Sequence, residues 1–320
     1  MTRPVPFDRE LQPHIVLTPA PVTADRLAAL RAEDATEVPS AETLSRGGRF
    51  VVSERTVDGP AGVSLLICAP AGLPGPRPVI YHTHGGGLFS GDHRIVLDPL
   101  LDEAEALGAT LVSVAYRLAP EHPHPAPVDD VHAGLLWTVE HAAELGLDPD
   151  RIIAAGTSAG GGLTAALALT LRDAGGPRLL GQLLMSPMLD DHNDSFSVRQ
   201  MDGLDIWDSS WNGLGWSSLL GGDRGGPDVS PYAAPARAKD VSGLPPAFLD
   251  VGSAESLRDE VVAYAGRIWA SGGRAELHVW EGGCHVFDWI APQARISQDA
   301  RAARLAWMVR LLAGSQNPLG

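Results

Sequence analysis

Apolar runs and helical patterns alternate along this chain. Seven short, nearly uninterrupted aliphatic or β-branched runs recur along its 320 residues, each followed by a helical pattern or a glycine-rich turn. They are "VSLLICAP" (63–70), "PVIYHTH" (78–84), "ATLVSVAYR" (109–117), "RIIAAG" (151–156), "GQLLMSP" (181–187), "PAFLDVG" (246–252) and "AELHVW" (275–280). Strands that are apolar along their whole length are covered on both faces, and strands that alternate with helices pair in parallel because each helix carries the chain back over the sheet. The helices are legible between them. Residues 128–145 put Val131, Leu135 and Val139 on one face, 161–172 stops at "DAGGP", and 259–270 and 293–312 complete the set. The expected fold class is α/β, a mostly parallel sheet flanked by helices.

Two stretches break the rhythm. Residues 1 to about 48 read as helical and partly polar before any strand begins, and residues about 189 to 240 set Trp207, Trp211 and Trp216 among Gly, Asp and Ser without strand periodicity. Both are expected to lie over the sheet as a helical cap. No Ser/Gly/Pro linker or charge block divides the chain, so a single domain over 1–320 is expected. Its length, with 44% hydrophobic residues, suffices for a large core.

Charge and cysteine content narrow the partners. A net charge of −15 argues against nucleic acid and against an anionic membrane surface, leaving small or neutral ligands. The N-terminus has no apolar signal core, and no segment approaches the roughly 18 consecutive apolar residues of a membrane span, so a cytoplasmic protein is expected. Cys68 and Cys284 are too few for a disulfide framework or a cysteine-ligated zinc site. Both are expected as reduced thiols.

The chemistry concentrates at "AAGTSAGGGLTAALALTL" (154–171). If "RIIAAG" is a strand and the segment after Ala159 a helix, Ser158 sits on the tight turn of a nucleophile elbow, where strained backbone pushes the hydroxyl outward. Gly156 and Gly160 are then needed because side chains there would collide across the turn. The helix N-terminus under the serine favours developing negative charge. A second element, "HTHGGGLFSG" (82–91), ends an apolar strand. Three successive glycines supply backbone N–H groups that can converge on a tetrahedral oxyanion. Gly86 and Gly87 are the expected loop donors, with Gly85 beside them and the N–H of Ala159 from the elbow.

Cofactors are not expected. No G-x-G-x-x-G or Walker lysine is present. His82, His84, Asp92 and His93, and also His122 and His124, lack the spacing of a zinc site, so no metal is assigned. His84 reads as a structural imidazole that fixes the glycine loop, and His82 as a strand side chain. A serine nucleophile requires a base. His285 follows "AELHVW" across a turn, ahead of the final helix, and the carboxylate belongs after the preceding strand, in "FLDVGSAESLRDE". Glu255 lies in that loop, whereas Asp250 is within the strand and Asp259 and Glu260 fall in a first helical turn.

These pieces resemble the hormone-sensitive-lipase-like branch of the α/β-hydrolase superfamily, the bacterial carboxylesterases. The likeness runs from about residue 63 to the last helix. It rests on "HGGG" (84–87), "YRLAPEHPHPAPVDD" (116–130), "GTSAGG" (156–161), "SPYAAPARA" (230–238), "LRDE" (257–260) and "HVFD" (285–288). The resemblance implies an eight-stranded sheet, a cap built from the two irregular segments, and a Ser158–His285–Glu255 triad. It further implies a homodimer through the edge strand at 275–280. Three positions depart from the commoner pattern: Thr157 follows the first elbow glycine in place of Asp, the acid is Glu255 in place of Asp, and Gly162 replaces an Asn. Arg117, Glu121 and Asp130 are read as a buried polar network bracing the oxyanion loop.

The implied function is a serine carboxylesterase acting on short-to-medium acyl esters through an acyl-enzyme, with hydrolysis rising through the histidine range to a plateau. Leu88, Phe89, Trp207, Trp211 and Trp216 are the expected pocket residues. Two alternatives stay open: an amidase or deacetylase using the same triad, and a non-catalytic small-molecule-binding protein. Plant gibberellin receptors resemble the family but have lost the catalytic histidine, whereas His285 is present here.

Overall fold

The computed structural model describes residues 3–17, 24–57 and 63–315; the parts of the expected N-terminal cap at 1–2 and 18–23 lie outside them. Eight strands form one sheet: β1 (Phe50–Thr56), β2 (Ser64–Pro70), β3 (Arg77–Thr83), β4 (Thr110–Ala115), β5 (Leu147–Thr157), β6 (Gly181–Met185), β7 (Ala247–Gly252) and β8 (Ala275–Trp280). Their order is β1-β2-β4-β3-β5-β6-β7-β8. β2 is antiparallel to β1 and to β4, and every other pairing is parallel.

All seven apolar runs are strands. β1 is the one the patterning missed. Among the described residues it pairs with β2 alone, and only Phe50 of its seven residues is buried. An edge strand with one covered position carries no apolar run to read.

The helices are α1 (Ala24–Glu37), α2 (Ala41–Ser45), α3 (Asp98–Leu107), α4 (Ala126–Glu140), α5 (Ala142–Leu145), α6 (Ala159–Ala174), α7 (Phe196–Met201), α8 (Ser209–Leu220), α9 (Arg258–Ala270), α10 (Phe287–Ile290) and α11 (Arg295–Gly314). Period-two alternation sends strand side chains to opposite faces. Val79 and Tyr81 of β3 pack with Val131 and Leu135 of α4 and Leu163 of α6. Ile80 packs on the other side with Leu100 and Leu101 of α3 and Met308 of α11. The expected helix over 128–145 is divided at His141, whose ψ of 10° ends α4 and whose ring stacks on Trp137 at 4.0 Å. The stop at "DAGGP" is Gly175, left-handed at φ 65° after α6. Among the described residues no helix is long and apolar enough to cross a membrane. Cys68 and Cys284 are free and buried.

The described parts of the two irregular stretches pack at the carboxyl ends of the strands. Arg31 of α1 donates to the carbonyls of Phe89 and Ala119, and Asp34 accepts the N–H of Gly91. Residues 189–240 form α7, α8 and tight turns, and Gly215 of α8 lies against the backbone of Gly87.

Candidate active site

β5 turns into α6 at Ser158, which has φ 56° and ψ −121°. No ordinary side chain adopts this conformation cheaply. It persists because the surroundings hold it: the Ser158 N–H donates to the Met185 carbonyl at 2.8 Å, and its own carbonyl accepts from Met188 and Gly162 at 3.0 and 3.1 Å. A Cβ on Gly156 would lie 2.2 Å from the carbonyl oxygen of Gly160, the expected collision across the turn. On Gly160 it would lie 2.0 Å from the carbonyl oxygen of Thr83 and 2.4 Å from that of His84. The second glycine is therefore required by the strand entering the glycine loop, not by its partner in the elbow.

His285 and Glu255 arrive on the loops after β8 and β7, which are laced together: Ser253 N–H donates to Trp280 at 2.8 Å, Ala254 N–H to Gly283 at 2.9 Å, and Gly282 N–H to the Ser253 hydroxyl at 2.8 Å. His285 Nε2 lies 2.9 Å from Ser158 Oγ, and its Nδ1 lies 3.2 Å from Glu255 Oε1. Glu255 Oε2 accepts from the N–H of Gly252 at 2.8 Å and from the hydroxyl of Ser186 at 3.0 Å. All three side chains are buried. The neighbouring carboxylates are engaged elsewhere: Asp250 with Arg304 at 2.8 Å, Asp259 with the Ser197 N–H, and Glu260 with the Leu189 N–H.

The glycine loop curls through Phe89 and Ser90, whose N–H groups donate to the carbonyl of Gly86. Gly86 and Gly87 have φ of 111° and 62°, and among the described residues their own N–H groups meet no acceptor. They line the same cavity as Gly85, Ser158 and His285. His84 stacks on Tyr116 at 4.1 Å with Nδ1 2.7 Å from the Gly85 carbonyl, and the Tyr116 hydroxyl donates to the His84 carbonyl at 2.9 Å. Burial pushes His84 down to about 4 and His82 to about 3, so both imidazoles are neutral at pH 7. His82 holds Ser113 at 2.9 Å and also lines the cavity, beyond the strand role expected of it.

The bracing network is partly as expected. Arg117 grips Asp130 with two guanidinium bonds of 2.8 Å, and Ala119 N–H donates to the Leu88 carbonyl. Glu121 joins it from the exposed side and not as a buried member, through the Arg31 guanidinium that donates to the Phe89 and Ala119 carbonyls. Its side chain is 55% exposed and pairs with Arg31 of α1 at 2.7 Å.

The cavity beside Ser158 encloses about 290 Å³. Of the five expected pocket residues only Trp207 lines it, with its ring 5.9 Å from that of His285. Phe89 and Trp211 stack on Trp207, at 6.1 and 6.2 Å, outside the lining. Leu88 and Trp216 belong to the core under α4 and α6. Ile206, Val286, Leu100 and Met185 are among the cavity's other apolar residues, and Asp92, Asp288 and Arg304 line it as well. A wider groove of about 1020 Å³ opens at the amino ends of β6 to β8, beside Arg172 and Arg274, and holds none of these groups.

Two further residues at the site carried no sequence signal. Ser186, at the end of β6, fixes Glu255. Asp205, in the irregular insert, accepts the backbone N–H of His285 on both oxygens, at 3.2 and 3.3 Å. Burial, with the charge of Glu255 second, raises its carboxyl to about 7.

This architecture is that of an α/β hydrolase, and comparison with known proteins agrees. Residues 80–288 match the family profile described as alpha/beta hydrolase fold. Carboxylesterase NlhH of Mycobacterium tuberculosis is 39% identical over 249 residues, covering 71% of this chain and 72% of that protein. Esterase LipW from Mycobacterium marinum superimposes with a TM-score of 0.88 at 31% identity, covering 97% of this chain and 98% of that one. A bacterial heroin esterase gives 0.86 at 34% identity, with 96% and 98% covered. The chain belongs to the hormone-sensitive-lipase-like family of α/β hydrolases. It is a carboxylic ester hydrolase.

Proposed function

We propose that Ser158, His285 and Glu255 form the catalytic triad of a serine carboxylesterase acting on short-to-medium acyl esters. Ser158 Oγ attacks the ester carbonyl while its proton passes to His285 Nε2; Glu255 holds the Nδ1 proton and stabilises the imidazolium. The carbonyl oxygen, now an anion, takes hydrogen bonds from Gly86, Gly87 and Ala159, with Gly85 closing the loop beside them. Collapse expels the alcohol with the proton from His285, and water repeats the sequence on the acyl-enzyme. The observation that carries this reading is the unbroken contact from Ser158 through the imidazole to Glu255, at 2.9 and 3.2 Å.

A cavity of about 290 Å³ with a mainly aliphatic and aromatic wall favours short-to-medium acyl groups over long chains. Residues 1 to about 48 and about 189 to 240 act as a cap over it. β8 ends the sheet with Val279 43% exposed, which favours a homodimer through that edge.

The experiment is a chain-length series of nitrophenyl esters, each with its matched amide, on the wild type and Ser158→Ala. An activity maximum at short-to-medium acyl length that vanishes in the variant supports the reading. Parity or preference for the amide defeats the esterase assignment, and absence of covalent labelling by an organophosphonate in folded wild type defeats the triad.

A further inference from the structure

The main-chain N–H of His285 is buried and belongs to no helix or strand ladder. A buried N–H must find an acceptor, and here a side chain from a distant segment supplies it. Asp205, 80 residues away and 3% exposed, offers both carboxylate oxygens to that N–H, and its Oδ1 also takes the N–H of Ile206 at 2.8 Å. A carbonyl would have satisfied the donor equally well. A carboxylate also adds negative charge close enough to interact with the imidazole, in a region with little water to screen it.

The next two residues carry the connection to the substrate. Ile206 and Trp207 line the cavity, and Trp207 stands beside the imidazole ring. Asp205 thus ties one wall of the pocket to the loop that carries the base. The titratable groups facing this junction are Glu255 from the loop after β7, His285 and the Cys284 thiol from the loop after β8, and Asp205 from the insert. Burial first, then the charges of Asp205 and Glu255, keep Cys284 protonated.

We propose that Asp205 is a positioning residue for the hydrolytic step: it fixes the backbone of His285 so that the imidazole reaches Ser158 and Glu255 together, and it supplies a second negative charge facing the imidazolium that forms as Ser158 attacks. The inference rests on the triad reading above. Asp205 does not line the cavity, and its bonds go to the backbone N–H groups of His285 and Ile206. Its carboxyl titrates near pH 7, raised first by burial and then by Glu255, so the ionised form acts above that pH and is lost below it.

The test compares the wild type with Asp205→Asn, which keeps one oxygen to accept the His285 and Ile206 N–H groups while removing the charge and the second acceptor, and with Asp205→Ala, which removes every acceptor. Active sites are counted by phosphonate titration, so that only folded, reactive enzyme enters the rates. At pH 8, kcat of Asp205→Asn falls about 10-fold or more, the worth of a buried bond to a charged group, with KM nearly unchanged, and Asp205→Ala falls further. The ratio of wild-type to Asn-variant rates narrows as pH drops from 8 to 5, because a protonated Asp205 carries no more charge than asparagine. A purely structural role moves the ratio by the same factor at every pH. A ratio within about twofold at pH 8, or one constant with pH, overturns the proposal, as does failure of both variants to yield any phosphonate-reactive protein. Wild type that itself fails to react would instead overturn the triad.

Discussion

Glu255 holds His285 through one oxygen only; the other, Oε2, is taken by the backbone N–H of Gly252 at 2.8 Å and the hydroxyl of Ser186 at 3.0 Å. The carboxylate is therefore oriented on its far side by a donor that cannot reverse. That asymmetry decides which proton His285 carries. With Oε1 accepting at Nδ1, the lone pair of Nε2 is left to face Ser158.

Replacing Glu255 by Gln reverses the arrangement. The Gly252 N–H can only donate, so the amide oxygen must turn toward it, and the amide nitrogen then faces Nδ1. The imidazole is driven to the tautomer protonated at Nε2, which cannot accept from Ser158. The expected outcome for Glu255→Gln is a folded protein whose kcat falls about 10⁴-fold. Glu255→Asp keeps the charge and retains more activity than Gln. Steady-state kinetics on a nitrophenyl ester, with denaturation midpoints to establish folding, checks both; equal activity of Gln and wild type would remove Glu255 from the mechanism.

Ser158→Ala deletes the attacking atom while leaving the elbow glycines in place. Hydrolysis is expected to fall by about 10⁴-fold or more, with phosphonate labelling abolished. The elbow's strain bears on stability as well, since alanine adopts φ 56° no more readily than serine. The denaturant midpoint should therefore stay close to that of the wild type. A labelled Ser158→Ala would place the nucleophile elsewhere.

What the sequence disclosed and what it withheld follow from how each feature is specified. Gly156 and Ser158 are legible because a strand-to-helix elbow is local, and Gly160 is legible as part of the same motif although the atoms that require it belong to Thr83 and His84. The six internal strands are legible because burial on both faces demands continuous apolar runs, whereas β8, at the sheet edge and partly exposed along its length, shows apolar Ala275, Leu277 and Val279 alternating with Glu276 and His278. β1, covered at Phe50 alone, carries no such demand. Asp205 and Ser186 are selected by contacts with residues 80 and 69 positions away, and nothing near them in the chain marks the choice. The pocket assignment met the cavity lining only at Trp207 for the same reason: Trp207, Trp211 and Trp216 look alike in sequence, and only packing decides that Trp207 faces the cavity while Trp216 enters the core.

Gly160→Ala tests the claim that the elbow and the glycine loop are one packed unit. The added Cβ would sit 2.0 Å from the Thr83 carbonyl oxygen and 2.4 Å from that of His84, both backbone atoms that cannot swing away. Either β3 or α6 must move. The expected cost is about 3 kcal/mol or more, at the upper end for overpacking, together with loss of esterase activity because Gly85 to Gly87 shift with His84. Denaturant unfolding beside an activity assay reads both, and a variant of unchanged stability would show that the contact is not tight.

Glu103 supplies a pH dependence of stability that is independent of catalysis. It lies on α3, buried to 4% exposure, with both carboxylate oxygens unpartnered among the described residues. Arg304 beneath it is already held by Asp250 at 2.8 Å and Asp288 at 2.5 Å. Burial raises the Glu103 carboxyl to about 8, with Arg304 partly opposing and Asp288 and Asp250 adding to the rise. The folded protein therefore holds this proton at pH 7, while the unfolded chain releases it near the ordinary glutamate value of about 4.3. Between those two values the unfolded state binds fewer protons, so stability is fully present below about pH 4.3 and falls as pH rises toward 8. Glu103→Gln carries no titrating proton and escapes the loss. Urea unfolding at pH 5, 6, 7 and 8 should show the variant gaining on the wild type at up to about 1.4 kcal/mol per pH unit. Parallel stability profiles for the two proteins would mean that Glu103 is ionised in the folded state and has found a cation.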